Sequence, residues 1–361
     1  MKKIYNFSAG PACLPEQAIS SSIESIKNFK QSGMSLLEMS HRSVPVVDLF
    51  EETTNNIIEL LNIPKNYSVL WLQGGASLQF SMVPMNLLPL AGSADYIDTG
   101  SWSAKAIIEC EKFGKANVIG SSKEATYSFI PKDVQISSSS SYLHITSNNT
   151  IYGTQYKNFP EINNDNTLLV ADMSSDILSK TIDFSKFDLI YAGAQKNIGP
   201  AGVTLVIIRS DLLKLKYRDI PTMMSYSTHA SNDSMFNTPP VFSVCVVNET
   251  LKWLKQLGGL DSMANINELK AGLLYEEINR NTLFKSPINE EDRSLMNVSF
   301  IFDNNKIDDK VFLDFCLARG LTTLKGHRSV GGFRASIYNA MPQKGVEVLI
   351  ETMQEFENRY S

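Results

Sequence analysis

Cysteine, histidine and net charge are all scarce in this 361-residue chain, and each scarcity excludes a class of protein. The four cysteines, Cys13, Cys110, Cys245 and Cys316, are scattered through apolar surroundings with no CxxC pair. That excludes a zinc ribbon or a disulfide frame and predicts reduced thiols in a cytosol, with no metal site. With 33 basic and 38 acidic side chains the formal charge is only −5, without the basic excess that a nucleic-acid coat or a membrane-surface patch needs. No run reaches the roughly 18 apolar residues of a membrane helix, and the longest, such as Val203 to Ile208, are strand-sized. Lys2 and Lys3 could open a secretory leader, but Asn6, Ser8, Gly10, Pro11 and Pro15 break its apolar core, so the expected location is cytoplasmic. What is present is 43% hydrophobic and 20% charged, the balance of a soluble globular protein.

Along the chain, helical spacing from Pro15 to about Lys30 stops at Gly33, and Val47 to Leu61 repeats it. Short apolar runs then alternate with longer helical ones. Strands are expected at Ser68 to Leu72, Ala94 to Thr99, Asn117 to Gly120, Tyr142 to Thr146, Thr167 to Asp172, Leu189 to Ala192 and Val203 to Arg209. Helices are expected at Ser77 to Leu88 and Ser103 to Phe113. This rhythm predicts an α/β fold with a mostly parallel sheet wrapped by helices. The serine run 137–141 has no apolar face and reads as a solvated loop. Helices at Phe242 to Leu257 and Leu260 to about Asn279 flank Gly258-Gly259. Beyond them the order becomes strand (Leu295 to Phe302), helix (Lys310 to Arg319), two strands (Leu321 to Leu324, Gly332 to Ile337) and a helix (Val346 to Tyr360). The expected division is a large α/β domain over 16–264 and a smaller α+β domain over 265–361 joined by 1–15.

Three segments carry chemistry. The strand Val69 to Leu72 breaks into Gln73-Gly74-Gly75-Ala76-Ser77 before a helix, a junction whose free N–H groups and helix dipole suit an anion. A tight turn without ligand accounts for the same residues, and neither GxGxxG nor a Walker loop is present. Asp172 closes the apolar run Leu168 to Ala171 at the sheet edge where open α/β folds bind ligands; a helix N-cap is the plainer alternative. Lys196 lies among small residues in the segment from Tyr191 to Gly202, before an apolar strand. Burial would lower its pKa and make it a nucleophilic amine, whereas an exposed loop lysine would need no explanation. An anion turn, a strand-end carboxylate and a glycine-flanked lysine together match the phosphate, ring nitrogen and aldehyde of pyridoxal phosphate. Trp102 can stack on that ring or simply fill the core.

The strings Asn6 to Pro11, Ser40-His41-Arg42, Tyr191 to Gly202, Ser234 to Pro240 and Gly326 to Ala340 resemble those of the phosphoserine aminotransferase family. That family is a class V branch of the fold-type I pyridoxal-phosphate transferases. The likeness extends from about residue 4 to about residue 359. The resemblance implies that Lys196 forms the Schiff base, Asp172 pairs with the pyridinium and Trp102 stacks on the ring. It puts Ala76, Ser77 and Gln195 at the cofactor phosphate and Thr150 at the phenolic oxygen. It also implies a homodimer with active sites at the subunit interface, Asn237 and Thr238 reaching the phosphate from the other subunit. Segment 157–166 matches nothing specific.

Two of the four histidines, His41 and His327, immediately precede an arginine. By the resemblance the substrates are L-glutamate and a phosphorylated 2-keto acid, 3-phosphohydroxypyruvate, giving O-phospho-L-serine and 2-oxoglutarate for serine biosynthesis. The four-carbon phosphorylated keto acid of vitamin B6 synthesis is a further candidate. Every one of these is anionic at both ends. A planar guanidinium suits a carboxylate, so Arg334 is assigned the α-carboxylate; His41, Arg42, His327 and Arg328 are assigned the distal anion, His41 and Arg42 from the partner side. A cysteine desulfurase would need a mobile cysteine in a Gly/Ser-rich loop, and an alanine–glyoxylate enzyme has no use for a second anion pocket. A pyridoxal-phosphate-binding regulator would keep the fold without this complete set of chemical groups.

Overall fold

The computed structural model describes residues 3–162, 164, 166–304 and 306–360. Lys2 of the N-terminal basic pair lies outside them, as do Asn163 and Asp165 of segment 157–166. Seven strands form one sheet in the order Tyr67–Leu72, Thr204–Arg209, Leu189–Gly193, Leu168–Asp172, Ser140–Thr146, Ser93–Asp98 and Lys115–Ser121. Thr204–Arg209 is antiparallel to both its neighbours, and every other pairing is parallel. The central strands are mostly apolar because both faces are covered. Ala171, Ile190, Leu205 and Ile207 face a core closed by helices Val44–Leu61 and Val241–Gln256. Val170, Tyr191, Val206 and Ile208 face the helices Gly75–Leu87 and Ser101–Cys110. Helix Val44–Leu61 starts three residues before the apolar periodicity does, since Pro45 is tolerated in a first turn whose N–H groups have no helical acceptor.

The serine run is not wholly a solvated loop. Ser140 and Ser141 begin the strand Ser140–Thr146, with Ser140 buried, and the Ser137 N–H donates to Asp95 Oδ2 at 2.8 Å. Strand pairing satisfies serine backbone groups as well as any others, which side-chain polarity conceals.

In the C-terminal part, Asn297–Phe302 pairs antiparallel with Phe333–Ser336 and Phe284–Lys285. Helices Asp309–Leu317 and Gln343–Tyr360 pack there on an aromatic core. The ring of Phe284 lies 4.8 to 6.3 Å from those of Phe300, Phe302, Phe312, Phe333 and Phe356. Burying one such ring contributes about 2–3 kcal/mol, so this cluster is the main stabiliser of the unit. Strand Leu321–Thr322 is shorter than the apolar run because Thr323 takes a left-handed backbone (φ 62°). It pairs parallel with Tyr5–Asn6, tying the N-terminal segment to this unit. Helix Gly259–Arg280 runs unbroken through residue 264, with Leu260 and Met263 in the larger core and Ala271, Leu274 and Ile278 in the smaller.

Candidate active site

The parallel strands point their C-terminal ends to one edge, and the chemistry-bearing segments follow those ends. Leu72 leads into Gly74-Gly75, Asp98 into Trp102, Thr146 into Thr150 and Gly193 into Lys196, while Asp172 is itself the last residue of its strand. One edge of one sheet thus collects residues scattered over more than a hundred positions.

Lys196 is partly buried, and its Nζ lies 2.7 Å from Thr150 Oγ1 and 5.8 Å from the centre of the Trp102 ring. Burial, with Arg334 adding to it, pushes the amine down to about 8, against the opposing pull of Asp172 and Asp176. A substantial fraction is therefore neutral and nucleophilic near pH 8. Asp172 is buried, and burial pushes its carboxyl up, opposed by the Lys196 charge and by Ser174. Ser174 gives Oδ1 both its N–H (2.9 Å) and its hydroxyl (2.6 Å), leaving Oδ2 with no donor among the described residues. A cationic N–H set against Oδ2 would restore the ionised carboxylate.

Arg334, on strand Phe333–Ser336, donates from Nη1 to the Thr150 carbonyl at 3.0 Å. Thr150 therefore joins the amine through its side chain to the guanidinium through its backbone. Arg334 Nε and Trp102 Nε1 are both buried donors without an acceptor. Such groups are costly when unpaired, which is the condition of a site awaiting an anionic ligand. Trp102 opens helix Ser101–Cys110, whose first turn is fixed by Ser103 Oγ accepting the Thr99 and Gly100 N–H groups at 3.0 and 2.9 Å. A Cβ at Gly100 would lie 2.6 Å from Oδ1 of the buried Asn149, so a larger residue there would displace the side chain next to Thr150. Gly74 (φ 88°) and Gly75 (φ 67°) turn the chain into helix Gly75–Leu87, where Ala76 is partly buried and Ser77 exposed. Gln195, partly buried, precedes Lys196, and its carbonyl accepts the Ala12 N–H at 2.9 Å.

The residues expected at the distal anion are arranged differently. His327 is partly buried and Arg328 exposed; burial, then Arg334, Arg328 and Lys105, push the His327 imidazole down. His327 Nδ1 lies 2.7 Å from Ser329 Oγ. Arg328 and Arg42 have no ion pair among the described residues, and His41 Nε2 is buried without a partner. Among the described residues of one chain, no hydrogen bond or ion pair links His41 or Arg42 to Lys196. Asn237 and Thr238 are exposed beside their own chain's glycine turn. There the Thr238 carbonyl accepts Gln73 Nε2 at 3.3 Å, and Asn237 shares with Gly74, Met82 and Met224 a cavity of about 310 Å³.

Sequence reading missed Lys105 and the polar frame behind Lys196. Lys105 follows Trp102 by three residues, a spacing that put both on one helical face. The frame left no such trace. Asn197 donates to the Ile177 carbonyl at 3.1 Å and accepts the Asn339 N–H at 3.0 Å. Asn267 donates to Asn339 Oδ1 at 2.9 Å, and the buried Lys270 Nζ donates to the carbonyls of Ile337, Tyr338 and Met341 at 3.0, 2.8 and 3.1 Å. Helix Gly259–Arg280 thereby clamps the turn after Arg334 to the residue after Lys196.

The donor set fits pyridoxal phosphate: a poised amine, a buried carboxylate oxygen free for the ring nitrogen, an indole over the amine and a glycine turn at a helix start. Among the described residues no cluster could hold a metal ion, the four cysteines are free thiols, and no helix is long and apolar enough to cross a membrane.

Comparison with known proteins agrees. The model of the aminotransferase class-V family matches residues 4–349. A phosphoserine aminotransferase of Flavobacterium psychrophilum is 52% identical over 360 residues, covering 99% of this chain and all of the relative. The solved structure of phosphoserine aminotransferase from Bacillus circulans subsp. alkalophilus superposes with a TM-score of 0.96 at 42% identity, over 99% of each chain. The pyridoxal-phosphate-bound phosphoserine aminotransferase of Trichomonas vaginalis gives a TM-score of 0.93 at 38% identity, over 98% of this chain and 100% of that one.

Proposed function

The chain belongs to the class-V aminotransferases, within their phosphoserine aminotransferase branch, and is a pyridoxal-phosphate-dependent transaminase; from that premise we propose which substrates it takes and which residues act on them. The reaction is reversible amino transfer from L-glutamate to 3-phosphohydroxypyruvate, giving O-phospho-L-serine and 2-oxoglutarate in serine biosynthesis. The phosphorylated four-carbon keto acid of vitamin B6 synthesis is a second substrate of the same shape. The observation that carries this reading is Thr150, which holds the Lys196 amine on its hydroxyl and the Arg334 guanidinium on its carbonyl, so that reacting amine and carboxylate anchor share one support.

When bound, the cofactor supplies an aldehyde for the amine and a ring that stabilises negative charge at the substrate α-carbon. Lys196 Nζ, neutral in part near pH 8, would hold the aldehyde and is placed to move the substrate α-proton. Asp172 Oδ2 would keep the ring nitrogen protonated, and Ser174 holds the carboxylate in place through Oδ1. Trp102 would cover the ring, and Thr150 Oγ1, now on Lys196 Nζ, would be available to the phenolic oxygen. Ala76, Ser77 and Gln195 bind the phosphate around the Gly74-Gly75 turn, where backbone N–H groups supply most donors.

Arg334 orients the α-carboxylate of both substrates. His327 and Arg328, with His41 and Arg42 of a second copy, bind the distal phosphate or γ-carboxylate. This implies a homodimer in which Asn237 and Thr238 complete the other copy's phosphate pocket. Arg42, Asn237 and Thr238 are exposed in one chain, as is Phe236 at 42%, in keeping with an interface there. The division into 16–264 and 265–361 with 1–15 is part of the same reading, as is a cytoplasmic location. The test is direct. Purified protein, glutamate and 3-phosphohydroxypyruvate should yield 2-oxoglutarate and O-phosphoserine, and a chain that aminates glyoxylate or pyruvate in preference overturns the assignment.

A further inference from the structure

Lys105 stands outside every role assigned so far. It is exposed on helix Ser101–Cys110, one turn beyond Trp102, with its Nζ 4.5 Å from the centre of the Trp102 ring. The residue a helix would offer as its ion-pair partner, Glu109 at i+4, is engaged elsewhere, by Lys112 Nζ at 2.7 Å and Ser81 Oγ at 2.8 Å. Among the described residues Lys105 has no carboxylate partner at all. Trp102 and Val330 pack on the same small cluster of Tyr127, Ile151 and Tyr152. That packing brings Val330, three residues after His327, to the cluster that Trp102 also touches. The ammonium is near enough to His327 to be among the charges that depress its protonation. Three cations, Lys105, Arg328 and Arg334, thus act on the His327 imidazole, which burial and their charge keep neutral at pH 8.

We propose that Lys105 is a specificity-determining residue that, with His327 and Arg328, favours a substrate whose distal group is a phosphate dianion over one whose distal group is a carboxylate. The inference rests on the proposed function and deepens it. Arginine forks recognise both groups, so Arg42 and Arg328 by themselves discriminate weakly. A lysine ammonium acts as a point charge, and its attraction scales with the charge it meets. A phosphate, with its second pKa near 6, carries almost twice the charge of a carboxylate at pH 8. Removing the ammonium from an exposed, screened position should cost about fivefold in kcat/KM for the dianion and about the square root of that, roughly twofold, for the monoanion.

The experiment compares holoenzyme as it stands with Lys105→Gln and Lys105→Arg, measuring kcat/KM for 3-phosphohydroxypyruvate and for L-glutamate at pH 8 over a range of ionic strength. The expected result is the unequal loss just given in Lys105→Gln, a shallower salt dependence for the phosphorylated substrate, recovery in Lys105→Arg, and unchanged absorbance of the bound cofactor. An equal loss for both substrates with an altered cofactor spectrum would mean that Lys105 merely supports Trp102, and overturns the proposal. No loss for either overturns it too. If the unmodified enzyme itself fails to use 3-phosphohydroxypyruvate, the substrate assignment falls, and that outcome is visible before any variant is compared.

Discussion

Replacement of Arg334 tests the claim that both substrates are held by one carboxylate anchor. The guanidinium is partly buried, burial pushes its pKa down, and it spends one arm on the Thr150 carbonyl, leaving Nε and the outer edge for a ligand. Truncating one partner of a hydrogen-bonded charge pair costs about 2–5 kcal/mol, and partial solvent access places this pair toward the low end, about 2–3 kcal/mol. Arg334→Ala should therefore lower kcat/KM by roughly 30- to 150-fold for glutamate and by a similar factor for 3-phosphohydroxypyruvate. Arg334→Lys keeps the charge and loses the fork, for a loss of about tenfold in both. The assay is each half-reaction followed separately by the absorbance of the bound cofactor, which removes product release from the comparison. Because Arg334 also steadies Thr150, cofactor affinity is measured beside it; a change beyond about tenfold there would mean that the Lys196 support had shifted. A large effect on one substrate and none on the other would refute the shared anchor.

Lys196→Ala should abolish turnover while still binding cofactor non-covalently, and borohydride reduction followed by mass analysis should find no added mass on that peptide; near-normal activity would remove the lysine from the mechanism. Lys270, which burial holds down to about 7 against 10.5 when unfolded, makes stability rise with pH between those values, because there the unfolded chain binds the additional proton. Below pH 7 both states are protonated and the cost of burying the charge is fully present. The wild-type melting temperature should accordingly gain on that of Lys270→Met as pH rises from 7 to 10, and a constant difference would show that the amine is not strained by burial. Mixing Arg42→Ala subunits with Lys196→Ala subunits, each inactive alone, should restore about a quarter of the sites if Arg42 serves the other copy, since half of randomly mixed dimers are hybrid with one intact site each. No recovery after verified subunit exchange would confine Arg42 to its own chain.

The candidate site was legible in part because its chemistry is written in local exceptions. A lysine among glycines, a carboxylate ending an apolar strand and a double glycine before a helix all break the surrounding pattern, and each break marks a strand end. The alternation of buried strands and amphipathic helices likewise fixed which residues lie at those ends. Other features left no local mark. Ser140 reads as polar yet is buried in a strand, because the ladder satisfies its backbone whatever its side chain. Asp176 takes bonds from Ser147 Oγ and Gln155 Nε2, a pairing that no spacing announces. Lys270 looks like any surface lysine on an amphipathic helix, yet it is fully buried among three carbonyls.

The sequence by itself determined the strand ends, from residue type and short-range order, and the class of chemistry, from its motifs and their family resemblance. Only the tertiary structure decided that Thr150 bridges Lys196 to Arg334, that helix Gly259–Arg280 braces both, and that Lys105 lies against the Trp102 ring. The first two relations join residues far apart along the chain. Which carbonyl a distant side chain meets depends on the packing of the whole sheet and its helices, and local sequence carries no record of it.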